Sequence, residues 1–337
     1  MKMIISLFAF ALFCTITAQA KIWRVNNNSG ITADFTTLQA AHDAATSGDT
    51  IHLEPSIATY GNLTMTKKLA IFSIGQFNSN NPGYQQSPAQ SFCGNITINN
   101  DGANGSLISV RTEGEITISG ATVANISIIN TAGMAPSMHW CFGVAGAINI
   151  SGADNCIISK SWSARISISS GANNTIISNN LIGNGLNVDA TSSAIVSQNV
   201  IYAVAVDNNC LTPSINNSTV TNNIFNKGGT SSFPNSTVSF NMSSGTNLPT
   251  GNGNVNNVDM STVFVDNNGG FIDNVYQLKA GSPAIAAGIS GEDLGAFGGT
   301  SPFVLAVQPS IPSIYKLQVP ATPSGNSMNV IFSTRSN

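Results

Sequence analysis

The sequence contains few charged residues. Asp, Glu, Lys and Arg make up 8% of its 337 residues, and the formal net charge is −3. Such a surface does not attract nucleic acid or an anionic membrane. The low charge also argues against a broad basic groove that recognises highly acidic polysaccharides. After residues 1–20 the chain contains no apolar run long enough to cross a membrane.

Residues 1–20 have the features of a secretory leader. Met1-Lys2 is followed by an apolar run from Ile4 to Cys14 and then by Ala18-Gln19-Ala20. A charged start, a short apolar segment and small residues before the cleavage point define a signal peptide. The sequence therefore predicts cleavage after Ala20 and a secreted, extracellular protein.

Cysteine is scarce and follows no metal-ligand spacing. Four cysteines remain after cleavage of the leader: Cys93, Cys141, Cys156 and Cys210. Their spacing shows no framework of close disulfide pairs either. Cys156 is predicted to be a small buried thiol, and a Cys141–Cys156 disulfide is the alternative.

In place of these features the sequence has a repeat. Five short segments rich in β-branched residues begin at positions 156, 175, 194, 218 and 236, at spacings of 19, 19, 24 and 18. A second series begins at 148, 166, 186 and 204. The period is too short for paired-helix repeats. Strands this short bury an apolar face only by stacking, at roughly 4.8 Å per coil. The sequence therefore predicts an all-β fold, a parallel β-helix with the two series as two of its sheets.

Polar residues crowd the predicted corners between these sheets. Asn and Ser tolerate left-handed backbone and can bond neighbouring amides, which suits sharp turns. We therefore interpret the corner pairs as structural rather than as binding sites: Asn179-Asn180, Gln198-Asn199, Asn208-Asn209 and Asn222-Asn223.

The repeat divides the chain into parts. Residues 21–50 are expected to form an N-terminal strand and a capping helix, 51–245 the coils with an insertion near 131–145, and 246–337 further coils and an extended Pro-rich tail. The helix is predicted from apolar residues at helical spacing after Asp34, which is its potential N-cap. It would cover the open end of the apolar column. His42 and His52 are interpreted as surface residues of the helix and of a strand.

Two segments carry a resemblance. The stretch from Phe35 through Gly48-Asp49-Thr50-Ile51 resembles the cap and first coil of secreted right-handed β-helix proteins of the pectate-lyase-like superfamily. Residues 281–285 and 293–298 are similar to the closing segment of many such bacterial proteins. The resemblance implies a right-handed, single-stranded solenoid over most of residues 22–300. It is specific for architecture, because this fold hosts lyases, hydrolases, epimerases and adhesins.

The stacking suggests a carboxylate pair. Aligning the second series places Ser151, Ser169, Asp189 and Asp207 in one column, with the two Asp residues on adjacent coils roughly 5 Å apart. Repulsion between them could be relieved by Ca²⁺ or by the shared-proton chemistry that glycoside hydrolysis uses. The alternative is that each Asp bonds the amide two residues on and points into solvent.

A second candidate site combines aromatic and basic residues. His139 and Trp140 of the insertion and Trp162 of the following coil are suited to stacking on sugars. Trp162 aligns with Leu181 and Val200, however, which favours a core position. Three basic residues are further candidates that could serve catalysis together with Asp189 and Asp207: Arg111, Lys160 and Arg165.

Two functions from different classes follow. The first is a secreted, monomeric, non-catalytic β-helix that binds a polysaccharide, a cell-surface glycan or another surface through the outer face of one sheet. The second is a carbohydrate-active enzyme, a polysaccharide lyase or glycoside hydrolase, with a groove along the coils. The discriminating observation is whether the titratable candidates converge in one cleft.

Overall fold

Short strands stack in register through most of the chain. The computed structural model describes residues 20–75, 91–99, 102–120, 122–129, 131–133, 146–202, 213–226, 231–266, 273–307, 313–320 and 327–335. Within them, strands of successive coils pair in parallel and build three long sheets of ten, eight and seven strands. The chain is a parallel β-helix.

The three sheets are named sheet 1, sheet 2 and sheet 3, and from Ala70 onward each coil passes through them in that order. Sheet 1 contains Ile22–Val25, Thr50–Leu53, Ala70–Phe72, Ser106–Ile108, Ser127–Ile129, Ile157–Ser159, Thr175–Ser178, Ala194–Ser197, Thr219–Thr221 and Thr237–Ser239. Sheet 2 contains Phe92–Cys93, Arg111–Thr112, Ala132–Gly133, Trp162–Ser163, Leu181–Ile182, Val200–Tyr202, Ile224–Asn226 and Met242–Ser243. Sheet 3 contains Leu63–Met65, Ile96–Ile98, Ile116–Ser119, Ala147–Ser151, Arg165–Ser169, Leu186–Val188 and Ser214–Ile215.

The first predicted series forms five consecutive strands of sheet 1. Ile157 lies opposite Ile176, which lies opposite Ile195. The neighbouring positions point inward and are buried without a break along the stack: Ile51, Ile71, Leu107, Ile128, Ile158, Ile177, Val196, Val220 and Val238. Stacking of one apolar side chain per coil therefore builds the core that a single short strand could not.

The second series forms sheet 3, with one change of register. Ile148 lies opposite both Ile116 and Ile166, so the surplus residues before Ile148 do not disturb the pairing. Val188, however, pairs with Ile215. The alignment that put residues 204–206 on that coil is therefore wrong, and those residues lie outside the described part of the chain.

A ladder of asparagines holds the corner between sheets 1 and 2. Asn180, Asn199, Asn223 and Asn241 are fully buried. The side-chain oxygens of Asn199, Asn223 and Asn241 each accept from the backbone N–H of the ladder residue one coil before, at 2.9–3.0 Å. The Asn180 oxygen accepts from the backbone N–H of Ser161 at 2.9 Å. The residue before each ladder position has a positive φ, as sharp corners require. The structural interpretation of the corner pairs is confirmed, except for residues 208 and 209, which are not described.

The N-terminal helix covers the open end of the core but is shorter than predicted. It spans Leu38–Ala44, and its N-cap is Thr37 rather than Asp34. Phe35 is held in extended conformation by a parallel bridge to the first strand, so the helix begins after it. The Asp34 carboxylate instead accepts a hydrogen bond from the backbone N–H of Arg24 at 2.8 Å.

The prediction that His42 is a surface residue is wrong. Its side chain lies on the buried face of the helix and is 3% exposed. The ring Nε2 accepts a hydrogen bond from the backbone N–H of Thr66 at 3.1 Å. His42 therefore fastens the capping helix to the segment after the first strand of sheet 3. His52 is half-buried on the outer face of sheet 1, where its ring stacks on Phe72 at 4.3 Å.

The coils continue only briefly into the C-terminal region, where Val255 bridges Met242 in parallel and the Asn254 side chain accepts from the Asn241 N–H at 3.0 Å. In the described residues after Ser243, the chain forms 3-10 helices at Met260–Thr262, Asp273–Tyr276, Ile289–Gly291 and Leu305–Val307. Residues 273–307, which we call the strap, pack on the outer face of sheet 2. That face carries one apolar column that water would otherwise contact: Trp162, Leu181, Val200, Ile224 and Met242.

The strap runs back along the corner between sheets 1 and 2. Glu292 accepts hydrogen bonds from the side-chain amides of Asn222 and Gln198, both at 3.0 Å. Further along, the Asn179 amide donates to the carbonyls of Ala296 and Gly298 at 3.1 and 2.9 Å. The strap thus contacts at least three coils in reverse order.

The tail differs from the predicted wrapping segment. Ser313–Gln318 and Ile331–Arg335 are extended, as expected, but they pair antiparallel with each other in a separate two-stranded sheet. Among the described residues, no helix has the length and apolar character needed to span a membrane.

Candidate functional site

Trp162 is a core residue and not part of a sugar-binding surface. It lies opposite Leu181 on sheet 2, as its alignment indicated, and is 1% exposed. Its indole N–H donates to the hydroxyl of Tyr202 beneath the strap. Burial raises the pKa of that hydroxyl. The ligand-binding interpretation of Trp162 is therefore wrong.

The Asp189 carboxylate is held by hydrogen bonds within the corner that follows its strand. Its two carboxylate oxygens accept from the backbone N–H groups of Thr191 and Ser170, both at 2.9 Å, and from the Thr191 hydroxyl at 2.8 Å. Burial would raise the pKa of Asp189, but these hydrogen bonds lower it. Asn216, which follows Ile215, takes the neighbouring position that was predicted for Asp207. The proposed carboxylate pair, as a calcium or catalytic site, therefore loses its basis.

The basic candidates lie at separate places around the coil. Arg111 is on the outer face of sheet 2, where it pairs with Glu113 at 3.2 Å. Lys160 occupies a left-handed corner between sheets 1 and 2. Arg165 begins a strand of sheet 3, and its buried Nε makes no hydrogen bond in the described chain. Together with Asp189 at the far end of sheet 3, these residues do not share a cleft.

The remaining candidates cannot be placed. His139, Trp140, Asp207, Cys141 and Cys210 lie outside the described residues. Cys93 and Cys156 are free, buried thiols, so the disulfide considered for Cys156 is not formed. Burial raises the pKa of Cys93 to about 12 and also raises that of Cys156. In the described chain, no three His, Cys, Asp or Glu side chains are grouped to hold a metal ion.

A different site lies on the outer face of sheet 1. An open trough of about 420 Å³ crosses four coils there. Its floor is the outward column of the first series, in which Ile157, Ile176 and Ile195 lie over one another, with Thr219 next in line. Ile195 is 47% exposed. At roughly 4.8 Å per coil, this floor extends for roughly 14 Å.

Amide side chains form one rim of the trough. Asn155, Asn174 and Asn217 occupy the corner before each strand, with φ of 55°, 58° and 49°, and Ser193 takes the equivalent position between them. Their side chains are exposed except that of Ser193, which is half-buried. Asparagine suits this corner because it adopts left-handed backbone more readily than other residues with a side chain.

The rim keeps unused hydrogen-bonding groups. The Asn174 amide nitrogen donates to the Asn155 side-chain oxygen at 3.3 Å. Within the described residues, the Asn155 amide nitrogen and the Asn174 oxygen make no bond of their own. The trough therefore offers both a donor and an acceptor beside an apolar floor.

The trough can bind a ligand, but its lining contains no side chain that could act as a general acid or base. Its lining consists of Asn155, Ile157, Asn174, Ile176, Ser193, Ala194, Ile195, Asn217 and Thr219. None of these side chains titrates near neutral pH. The site is not apparent from the sequence when each apolar segment is taken as one run. Separating the inward from the outward residue of the first series would have shown the isoleucine column.

No protein-family model matches the chain, and no curated protein matches it.

Proposed function

We propose that this protein binds an uncharged glycan chain in the trough on sheet 1 and does not alter it chemically. The observation that carries the proposal is a partly exposed isoleucine column bordered by amides that keep unused hydrogen-bonding groups, without a charged group in the lining. Ligand sites commonly combine apolar contact area with a few polar groups that fix orientation.

The floor suits the apolar face of a sugar ring. Ile157, Ile176 and Ile195 present branched side chains at one spacing, so a ligand lying along the stack meets the same surface at each coil. Covering exposed apolar area contributes about 25 cal/mol per Å². A polymer with repeating units gains this contribution several times, whereas a single sugar gains it once.

The rim suits hydroxyl groups. The Asn155 amide can donate to a hydroxyl oxygen, and the Asn174 oxygen can accept from a hydroxyl hydrogen. A charged ligand would find no opposite charge here and would lose hydration without compensation. The lining therefore favours a neutral polysaccharide over one that carries carboxylates.

Binding without catalysis is supported by the positions of the titratable candidates. Glycoside hydrolysis requires two carboxyl groups that flank one bond, and a lyase requires a base within reach of its substrate. Asp189 is bonded within its own corner, and Arg111, Lys160 and Arg165 lie on other parts of the coil.

The test compares variants of one strand. Ile176→Ser removes a floor side chain, and Asn174→Ala removes the adjoining rim amide. Ser178→Ala is the matched control, because Ser178 points outward from the same strand but does not line the trough. Binding to soluble β-glucan, mannan and xylan is measured by affinity electrophoresis and calorimetry.

Ile176→Ser should weaken binding about tenfold, since losing one apolar contact costs roughly 1–1.5 kcal/mol. Ser178→Ala should bind like the parent. Equal binding by all three variants, or binding only to acidic polysaccharides, contradicts the proposal. Release of reducing sugars from any polymer would favour a carbohydrate-active enzyme instead.

We further propose that the protein is secreted and belongs with the right-handed, pectate-lyase-like β-helices. The three parallel sheets, the capping helix and the asparagine ladder support the relationship at the level of architecture. The leader-like residues 1–20 support export.

A further inference from the structure

The carboxylate of Asp49 is buried beside the first strand and has an unusual donor. The backbone nitrogen of Lys21 donates to its Oδ1 at 2.8 Å. Its Oδ2 accepts from the Trp23 indole N–H at 3.0 Å and from the N–H and hydroxyl of Thr46 at 2.9 and 3.1 Å. Asp49 is 4% exposed.

These donors keep Asp49 ionised. Burial would raise the pKa of the carboxyl, but the hydrogen bonds from Lys21, Thr46 and Trp23 lower it to about 2. At neutral pH the site therefore holds a buried negative charge. Hydrogen bonds offset part of the cost of burying this charge, and an adjacent opposite charge would stabilise it further.

No side-chain cation supplies that charge within the described residues. The lysine and arginine side chains on adjoining elements are Lys21, Arg24, Lys67 and Lys68, of which Arg24 pairs with Glu54 at 2.5 Å. The Lys21 ammonium lies over the Trp23 ring at 3.2 Å. Lys67 donates to three carbonyls at the end of the capping helix, and Lys68 is exposed. None of the ion pairs in the described chain includes Asp49.

A new N-terminal ammonium group of the chain itself can supply a cation beside Asp49. The Ala20–Lys21 bond lies directly before the first strand, and both residues are exposed. Ala18-Gln19-Ala20 supplies the small residues found before a leader cleavage point. Hydrolysis of this bond leaves a carboxylate on Ala20 and a free amine on Lys21, which takes up a proton.

We propose that the chain is cut between Ala20 and Lys21 and that Asp49 is the acceptor for the ammonium group so released. The amine nitrogen already stands at hydrogen-bonding distance from Oδ1, and the Lys21 carbonyl is held by the Thr50 N–H at 2.8 Å. Cleavage therefore converts a hydrogen bond from an uncharged amide to the carboxylate into a buried ion pair without moving the strand. The processed protein is more stable than its precursor.

The experiment compares two N-termini. One protein begins at Lys21, freed from a removable fusion, and the other retains Gln19-Ala20. Both are also made with Asp49→Asn. The form that begins at Lys21 should melt about 2–4 °C higher at pH 7. That difference should vanish in the Asp49→Asn pair.

The pH dependence gives an independent test that needs no variant. An unperturbed α-amino group has a pKa of about 7.7–8.0, and the adjacent carboxylate raises it in the folded state. The extra stability is therefore present in full below that range and is lost as pH rises through the folded-state value. The two N-termini should melt together by pH 11.

Three results would overturn the proposal. One is equal melting of both forms at pH 7, and another is a difference that survives in Asp49→Asn or at pH 11. The third is an exported protein whose mass shows that it begins at a residue other than Lys21.

Discussion

Replacing Asn199 with Ala should cost more stability than any exposed substitution in the coils. The buried Asn199 amide donates to the carbonyls of Ile177 and Ser197 at 2.8 and 3.0 Å and to the Asn223 side chain at 2.9 Å. Its oxygen accepts from the N–H and the side-chain amide of Asn180 at 3.0 and 2.9 Å.

Truncation to Ala deprives at least two buried groups of their partners, among them the Asn180 N–H. Each such group costs about 1–3 kcal/mol, so we expect a loss of about 4 kcal/mol in the free energy of unfolding. Asn199→Asp distinguishes the loss of hydrogen-bond donors from the loss of side-chain volume. It has the same size but cannot donate to Ile177 or Asn223, and it should be at least as harmful at neutral pH.

Urea unfolding followed by circular dichroism measures the effect. Asn174→Ala is the control, because the Asn174 side chain is exposed; Asn174 has a left-handed backbone, which Ala tolerates less well, so this variant should cost about 1 kcal/mol. Burial raises the pKa of a carboxyl such as that of Asn199→Asp, so part of its deficit should be recovered as pH falls. An Asn199→Ala protein within 1 kcal/mol of the parent would refute the ladder argument.

Trp162→Ala should lower the free energy of unfolding by about 3–5 kcal/mol and speed proteolysis within the strap. Unchanged cleavage of the strap would contradict the packing of Trp162 beneath it. Cys93 and Cys156 should resist a thiol reagent in the native protein and react on unfolding, because burial raises the pKa of both thiols; rapid native labelling of either would show otherwise. Millimolar Ca²⁺ should leave the melting temperature unchanged, with or without Asp189→Asn, since the Asp189 oxygens already accept protein donors; a rise lost in Asp189→Asn would restore the calcium hypothesis.

The coils could be predicted because each repeat contains its own short apolar strands at a regular spacing. The pairing of Trp162 with Leu181 and of Ile157 with Ile176 follows directly from the 19-residue spacing of the repeat. The asparagine corners were also predictable, since left-handed backbone and buried amides restrict the choice of residue.

The register after Asp189 could not be predicted in the same way. Residues 204–206 fit the pattern of the second series and would place Val206 opposite Val188. The residue that pairs with Val188 is instead Ile215, nine residues farther along the chain. A short alternating segment satisfies a periodic pattern wherever it occurs. Only the strand that actually pairs decides between two such candidates.

The strap and the cap depend on contacts between distant segments. Residues 273–307 show no periodicity, and their place is set by the outward apolar column of sheet 2. His42 is buried because Thr66 lies against the helix, a contact that helical spacing alone does not reveal. The trough likewise exists only once the outward isoleucines of separate coils are superposed.

The reversed path of the strap changes how the solenoid should come apart. An ordinary stack of repeats has only neighbour-to-neighbour interactions and can peel from either end. Here the Asn179 and Asn222 coils are clamped by one common segment. Loss of the last coil therefore loosens the grip on coils far from it, and the molecule should rupture as a single block rather than by stepwise fraying.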